Sequence, residues 1–375
     1  NEVLALCRAG AEVSVHNLRP CRADTADLVV ERKLTNLTIT HNSWQATLEG
    51  LRIGFSQPRL CAALFKWVVS HTWQRPNHLI RSLILLPRSL ELYDKIKQAS
   101  PDVVHLYWSH YPSLVGYLVQ EKLPDILVSI SFVAHDVNEQ YACTDLVARR
   151  ADFVHTITTT NIPAIARLGI ARDRISVFYH GVNFQQIPAS TPKIPFKIVT
   201  AGRLIPEKGF EDTLQVFYRV KQRWQNASLV ILGRGPHQEN LERLARSLGI
   251  ADAVQFRGHI SHDLVFAEMA SAEVFLFLSK FSAERLPNVV KEAMVCRCLS
   301  VVTHTPGIEE LICSGKQGYV VEPGDIESAA ELINKAFANP TEKAAIIANA
   351  YHHVTTNFDL DQIIQNLYQK WQKNL

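Results

Sequence analysis

FKIVTAGRLIPEKG, residues 196–209, joins two kinds of segment. Its first half is a short, β-branched, nearly continuous apolar run, the pattern of a strand covered on both faces. Its second half turns at Gly202 and carries Arg203 and Lys208 on one loop. Through Gly209 it enters a helical pattern that begins at about Glu207. The alternation then repeats. SLVILG (228–233) precedes a helix opening at Pro236, VQFRG (254–258) one from about Ser261, and VFLFLS (274–279) one opening near Pro287. LSVVTH (299–304) precedes a short helix at Ile308, and GYVVE (318–322) one from Asp325. Strict β/α alternation at this spacing predicts a parallel, doubly wound sheet. Ligands of such sheets sit beyond the carboxyl ends of the strands, at helix N-termini, so the βα loops are where chemistry belongs.

Upstream, three prolines in residues 187–195 with no periodicity read as a linker. The expected division is a first domain over 1–187, a linker over 188–195, a second domain over 196–358 and a closing helix over 359–375. That helix carries an apolar stripe at Ile363, Ile364, Leu367, Tyr368 and Trp371 that suits docking back on the first domain. First-domain strands are expected at 11–18, 102–108, 126–132, 153–158 and 174–180. The chain opens in a helical pattern, NEVLALCRAG, whereas an α/β domain normally opens in a strand. A first strand and its loop are therefore expected upstream of Asn1.

At 375 residues the chain suits two domains of ordinary size. A formal net charge of +3 gives no whole-molecule case for nucleic acid. The local distribution says more. From Leu51 to Leu90 there is no Asp or Glu, while Arg52, Arg59, Lys66, Arg75, Arg81 and Arg88 alternate with Phe55, Phe65, Trp67 and Trp73. Such a stretch fits an anionic membrane surface or an anionic acceptor; it equally fits ordinary helices with solvated cationic heads. Seven cysteines without a C-x-x-C pair fit a reduced, cytoplasmic compartment, and Cys296-Arg-Cys298 reads as core packing rather than a metal site. No apolar run approaches the ~20 residues of a membrane span.

Arg203 and Lys208 can converge on a diphosphate, Arg as a fork of donors and Lys as a point charge; the alternative is a solvated loop. In ERLPNVVKE (284–292), Pro287 reads as the first residue of a helix whose free amides, at Asn288 and Val289, can hold a phosphate. Glu284 before it and Glu292 within it are carboxylates suited to sugar and ribose hydroxyls. Glu309 and Glu310 follow the turn at Pro306-Gly307. Gly233-Arg-Gly235-Pro236 lacks the Lys-Ser/Thr of a phosphate loop. His135 closes a first-domain strand, where it can meet a sugar hydroxyl or serve as a core histidine. His105 and His110 are weaker candidates for acceptor contact. No nucleophile elbow, zincin motif or full dinucleotide fingerprint occurs. The one D-x-D, Asp359-Leu-Asp361, reads as helix capping.

Taken in order, GRLIPEKG (202–209), GRGP (233–236), FRG (256–258), SAERLPNVVKEAM (282–294), TPGIEEL (305–311) and GYVVEPGD (318–325) resemble the retaining nucleotide-sugar glycosyltransferases of family four. HGVN (180–183) and AHD (134–136) extend the resemblance loosely into the first domain. The resemblance implies the GT-B fold, two Rossmann-like doubly wound domains facing a central cleft. It implies that Arg203 and Lys208 hold the donor diphosphate, that Glu284 contacts the donor sugar, and that His135 lies near the transferred sugar. Gly202, Gly233 and the backbone of Pro287, Asn288 and Val289 would form the donor site, with Glu292 on the ribose and Glu310 at the turn position. It further implies a metal-independent enzyme with a UDP- or GDP-linked donor and a saccharide or lipid-linked acceptor. Such an enzyme would build cell-surface polysaccharide or glycolipid, in the cytoplasm or at the inner face of the membrane. Three departures stand out. Arg285 replaces a Gly, Pro306-Gly307 replaces Gly-Gly, and the Gly-rich loop after the family's first strand falls upstream of Asn1. An epimerase or phosphorylase-like relative and a non-catalytic nucleotide-sugar-binding scaffold are the alternatives that the motifs leave open.

Overall fold

The structure, a computed structural model, describes residues 1–20, 29, 34–139, 141–187, 191–281 and 284–375. Its contacts divide the chain into two units, Asn1–Tyr179 with Asp361–Leu375, and His180–Leu360.

The first unit runs α1 (Glu2–Arg8), β1 (Ser14–His16), β2 (Thr38–Thr40), α2 (Trp44–Ser56), α3 (Pro58–Thr72), α4 (Pro76–Ala99), β3 (Val103–Leu106), α5 (Ser113–Lys122) and β4 (Leu127–Phe132). It continues through α6 (Ala134–Glu139), α7 (Thr144–Arg150), β5 (Phe153–Thr156), α8 (Ile162–Ala166) and β6 (Ile175–Val177). β3 to β6 form a parallel sheet in consecutive order, and β1 and β2 pair in parallel as a separate two-stranded sheet. All six residues of β4 are buried, as an apolar run covered on both faces should be. β2 was not anticipated; its three residues, Thr-Ile-Thr, are too few for a period to show. Arg88, counted above among surface cations, is 1% exposed. It pairs with Glu91 one turn on and donates to the backbone oxygen of Asn17, because this stretch of α4 packs beneath the β1–β2 pair.

The second unit runs β7 (Lys197–Ala201), α9 (Phe210–Arg223), β8 (Ser228–Leu232), α10 (Gln238–Ser247), β9 (Val254–Gly258), α11 (His262–Ser271) and β10 (Val274–Phe277). Then come α12 (Asn288–Val295), β11 (Leu299–Thr303), β12 (Tyr319–Val321), α13 (Ile326–Ala338) and α14 (Pro340–Asn357). Its sheet is parallel with order β12-β11-β10-β7-β8-β9. The chain therefore winds outward from β7 in one direction, returns, and winds outward from β10 in the other. β7 and β10 are neighbours, and the crevice beyond their carboxyl ends is the topological switch point, where a doubly wound sheet opens for a ligand.

The units meet in sequence at Tyr179/His180, not in the proline-rich stretch, of which residues 188–190 lie outside the described set. The reason is backbone pairing. The amide of Val182 donates to Phe358 O at 2.8 Å and that of Leu360 to Val182 O at 3.2 Å, so HGVN already belongs to the second unit. A Cβ on Gly181 would lie 2.4 Å from the Cα of Leu360, which is why a glycine stands there. The last helix, α15 (Leu360–Gln372), packs in the first unit from Asp361 onward. Ile364, Leu367 and Trp371 are buried, and the Trp371 indole donates to Ser129 Oγ of β4 at 3.1 Å. Asp361, read above as part of a cap, accepts from the Arg8 guanidinium. Among the described residues no helix is long and apolar enough to cross a membrane.

Candidate functional site

At the switch point of the second unit, Ala201, Gly202, Arg203, Lys208, Phe277, Glu284, Pro287, Asn288 and Val289 line a cleft of about 340 Å³. Two loops line it, after β7 and after β10, the loop after β8 packs against the first, and glycines set how closely they meet. Gly209 has φ 68°, and a Cβ there would lie 1.8 Å from Leu278 O, so the loop after β7 can close against the end of β10 only with glycine at this position. Gly233 has φ 132°, and its Cβ would lie 1.9 Å from Gly202 O. Gly233 thus serves the close packing of the loops after β7 and β8. It is not among the residues that line the cleft.

With Gly209 locked, Lys208 is pinned. Its ammonium lies 5.4 Å from the Phe277 ring centroid and 5.9 Å from that of Phe281. It pairs with Glu284, which also accepts from Ser279 Oγ at 3.4 Å. The Lys208 and Glu284 side chains are only 15% and 17% exposed, so each charge depends on the other for its solvation. Arg203 lines the same cleft and is exposed.

The far wall is the start of α12. Pro287 is its cap, with extended ψ 127°, and the helix begins at Asn288 rather than at the proline. Leu286, immediately before, is buried with φ 44°, a left-handed conformation that is costly for a branched side chain and is held here by packing. The amides of Asn288 and Val289 are the first of the helix and have no intrahelical acceptor, so the positive end of the helix faces the cleft. Lys291, fully buried, donates to Asn288 Oδ1 at 3.0 Å and to His180 O at 2.7 Å, adding a cation under the same turn.

Glu292 lies one turn further into α12 and does not line the cleft; its Oε1 is 3.1 Å from His262 Nε2. His262 was not singled out from the sequence. It stands 30 residues earlier, at the start of α11, and only the fold brings the two together. Glu310 lies in a short 3₁₀ turn after β11, capped by Gly307 at φ 91°, and its carbonyl accepts from His353 Nε2 at 3.1 Å. It too is away from the cleft lining. His135 belongs to the first unit, where it is exposed on α6 with its ring edge-on to His110 at 5.9 Å. Beside it, Asp136 accepts from the amides of Ser109 and Val133, yet burial pushes its carboxyl up to about 6. His105 is half-buried against Trp371 and His155: desolvation lowers its pKa to about 4, and Nδ1 bonds Ser129 Oγ at 3.1 Å.

Among the described residues no group of three or more His, Cys, Asp or Glu could hold a metal ion. Cys296 and Cys298 are buried packing residues; the Cys298 thiol meets Met269 O at 2.8 Å and is pushed up by burial to about 11.

Residues 184–353 match the model of the family described as glycosyl transferases group 1. The chain is 26% identical over 260 residues to the putative colanic acid biosynthesis glycosyltransferase WcaL of Escherichia coli, covering 67% of this chain and 64% of that protein. It is 29% identical over 166 residues to a GDP-mannose-dependent α-(1-6)-phosphatidylinositol monomannoside mannosyltransferase of Mycolicibacterium smegmatis, covering 43% of this chain and 44% of that protein. The chain thus spans less than two thirds of the length of either relative. Among solved structures it is similar in fold to Anabaena Alr3699/HepE in complex with UDP, with TM-score 0.66, 18% identity and coverage of 76% of this chain and 82% of that one. It is also similar to a glycosyltransferase from Rickettsia africae, with TM-score 0.70, 14% identity and coverage of 100% and 94%.

Proposed function

For a chain whose residues 184–353 belong to the glycosyl transferases group 1 and whose fold is that of the GT-B glycosyltransferases, we propose retaining transfer of a sugar from a nucleoside diphosphate donor to a saccharide or lipid-linked acceptor. The observation that carries this reading is the convergence of Arg203, Lys208 and the first amides of α12 on one cleft at the switch point. That combination supplies two cations and a helix terminus to a diphosphate.

In the proposed reaction the bond between the anomeric carbon and the diphosphate oxygen breaks. The acceptor oxygen attacks from the same face, and its proton passes to the departing phosphate oxygen. Arg203 and Lys208 stabilise the charge that grows on the diphosphate, and α12 fixes its distal phosphate. Glu284 releases Lys208 to the diphosphate and accepts from sugar hydroxyls. Glu292, oriented by His262, takes the ribose hydroxyls. Bonds form only between acceptor and donor, carbon to oxygen and proton to the leaving phosphate oxygen, so the side chains serve as positioning and electrostatic groups.

A uridine or a guanosine donor fits the reading, since Alr3699/HepE was solved with UDP and the Mycolicibacterium relative is named for GDP-mannose. Relatives named for colanic acid and lipopolysaccharide core biosynthesis support a cell-surface product. The test is incubation of the full chain with UDP- and GDP-hexoses and candidate saccharide or lipid-linked acceptors, with the product's anomeric configuration read by NMR. A product of donor-like configuration supports the proposal. An inverted product overturns the retaining mechanism, and an isomerised free sugar nucleotide overturns transfer.

A further inference from the structure

We propose that α2, α3 and the start of α4 form a docking surface for an anionic phospholipid bilayer. On α2, Trp44, Leu48, Leu51 and Phe55 are 71%, 52%, 45% and 86% exposed. At ~100° per residue these four fall within an arc of about 60°, on the side opposite Gly50 and Ile53, which the helix buries. Neighbouring α3 repeats the arrangement, exposing Phe65 and, at its end, Trp73, while Leu60, Leu64 and Val68 enter the core. α4 adds exposed Ile80 and Ile84. The three helices pack on one another through a shared core, so these rows belong to one layer. A helix facing water carries mainly polar residues on its outer face; here each helix also exposes large apolar side chains there, among its cations.

Charge selects the occupant. Arg52, Arg59, Lys66, Arg75 and Arg81 are exposed on the same layer, and from residue 41 to 90 the only carboxylate is Glu49. Arg52 flanks the α2 row, and Arg59 and Lys66 flank the α3 row, by the same angular count. Apolar side chains bordered by cations are the makings of an interfacial helix, whose rings and aliphatic chains enter the headgroup boundary while guanidinium groups meet phosphates. A second copy of this chain on a two-fold axis would bring the same cations face to face, against their repulsion. The inference is independent of the transfer reaction, because it uses no residue of the nucleotide cleft.

The experiment is flotation of the full chain with phosphatidylcholine vesicles, with and without phosphatidylglycerol, at low and high salt. Binding is expected only with phosphatidylglycerol and is weakened by salt. Arg59→Gln and Lys66→Gln should each lower affinity roughly fivefold, and Leu51→Asp with Phe55→Asp should abolish binding. Urea midpoints and nucleotide-induced thermal shifts should stay as in the parent, since these side chains are outside the core and the cleft. Absence of flotation, or equal flotation of the Asp double variant, would overturn the proposal. So would sedimentation showing that the double substitution dissociates an oligomer without changing vesicle binding.

Discussion

The cleft of the second unit and the helical layer of the first both present cations, but they hold them by different means. Lys208 is fixed by a glycine-locked loop, two phenyl rings and a carboxylate partner, and its side chain is 15% exposed. In the layer, Arg59, Lys66 and Arg81 stand in solvent, and Arg52, 81% exposed, lies 3.7 Å from Glu49. A pinned cation serves a ligand whose charge arrives at one place, such as a diphosphate; solvated cations around an apolar row serve a field spread over a surface. On the two readings proposed above, the same residue types would support catalysis in one unit and docking in the other, and burial would decide which.

The contrast predicts that substitutions in the cleft have large, position-specific effects. Lys208→Met should cut transfer by roughly 10²–10³-fold, the scale of losing one preorganised group at a developing charge, with little loss of secondary structure. Steady-state kinetics beside far-UV circular dichroism checks it; near-normal turnover would place the diphosphate elsewhere. Glu284→Gln should also slow transfer, yet tighten UDP or GDP binding several-fold, because Lys208 is no longer neutralised. Calorimetric titration reads the sign, and weaker binding would mean that Glu284 itself holds the nucleotide.

The first unit should instead show its desolvated histidine in stability. His105 has its pKa lowered to about 4, while an unfolded chain titrates near 6.5. Between those values the unfolded state takes up a proton that the folded state refuses. The stability tied to neutral His105 is therefore present above pH 6.5 and lost as pH falls toward 4. Asp136, pushed up to about 6, acts with the opposite sign over a similar range. Comparison with His105→Asn isolates the histidine: the parent should lose roughly 3 kcal/mol relative to the variant between pH 7 and pH 4. Urea unfolding at several pH values measures it, and parallel curves would contradict the burial argument. The smallest expected effect is at His262. His262→Leu should reduce discrimination between UDP and its 2′-deoxy analogue by about tenfold, a hydrogen bond's worth of order, with recovery in His262→Gln. Unchanged discrimination in the Leu variant would mean that Glu292 needs no orienting partner.

The second unit was legible because five of its six strands are largely buried apolar runs ending in a loop with Gly, Pro or charge, and all six, the half-exposed edge strand β9 included, appear where the β/α alternation puts them. Arg203, Lys208, Glu284 and the Pro287–Val289 segment were legible as a set for the same reason, each lying at a strand's carboxyl end. What escaped depends on contacts across the chain. The close approach of Gly233 to Gly202 O shows only in the fold, and Arg88 looks solvated until Glu91 and Asn17 enclose it. The unit boundary lies at HGVN rather than among the prolines because Val182 pairs with residues 358–360, far along the chain.

The most direct test of the account is calorimetric titration of the full chain with UDP and GDP, alongside Lys208→Met and Lys280→Met. Lys280 is a control cation that pairs with Asp212 and does not line the cleft. The account predicts that at least one nucleotide binds the parent and the Lys280 variant alike, and that Lys208→Met loses most of that affinity. Failure of both nucleotides to bind the parent, or undiminished binding by Lys208→Met, would contradict it.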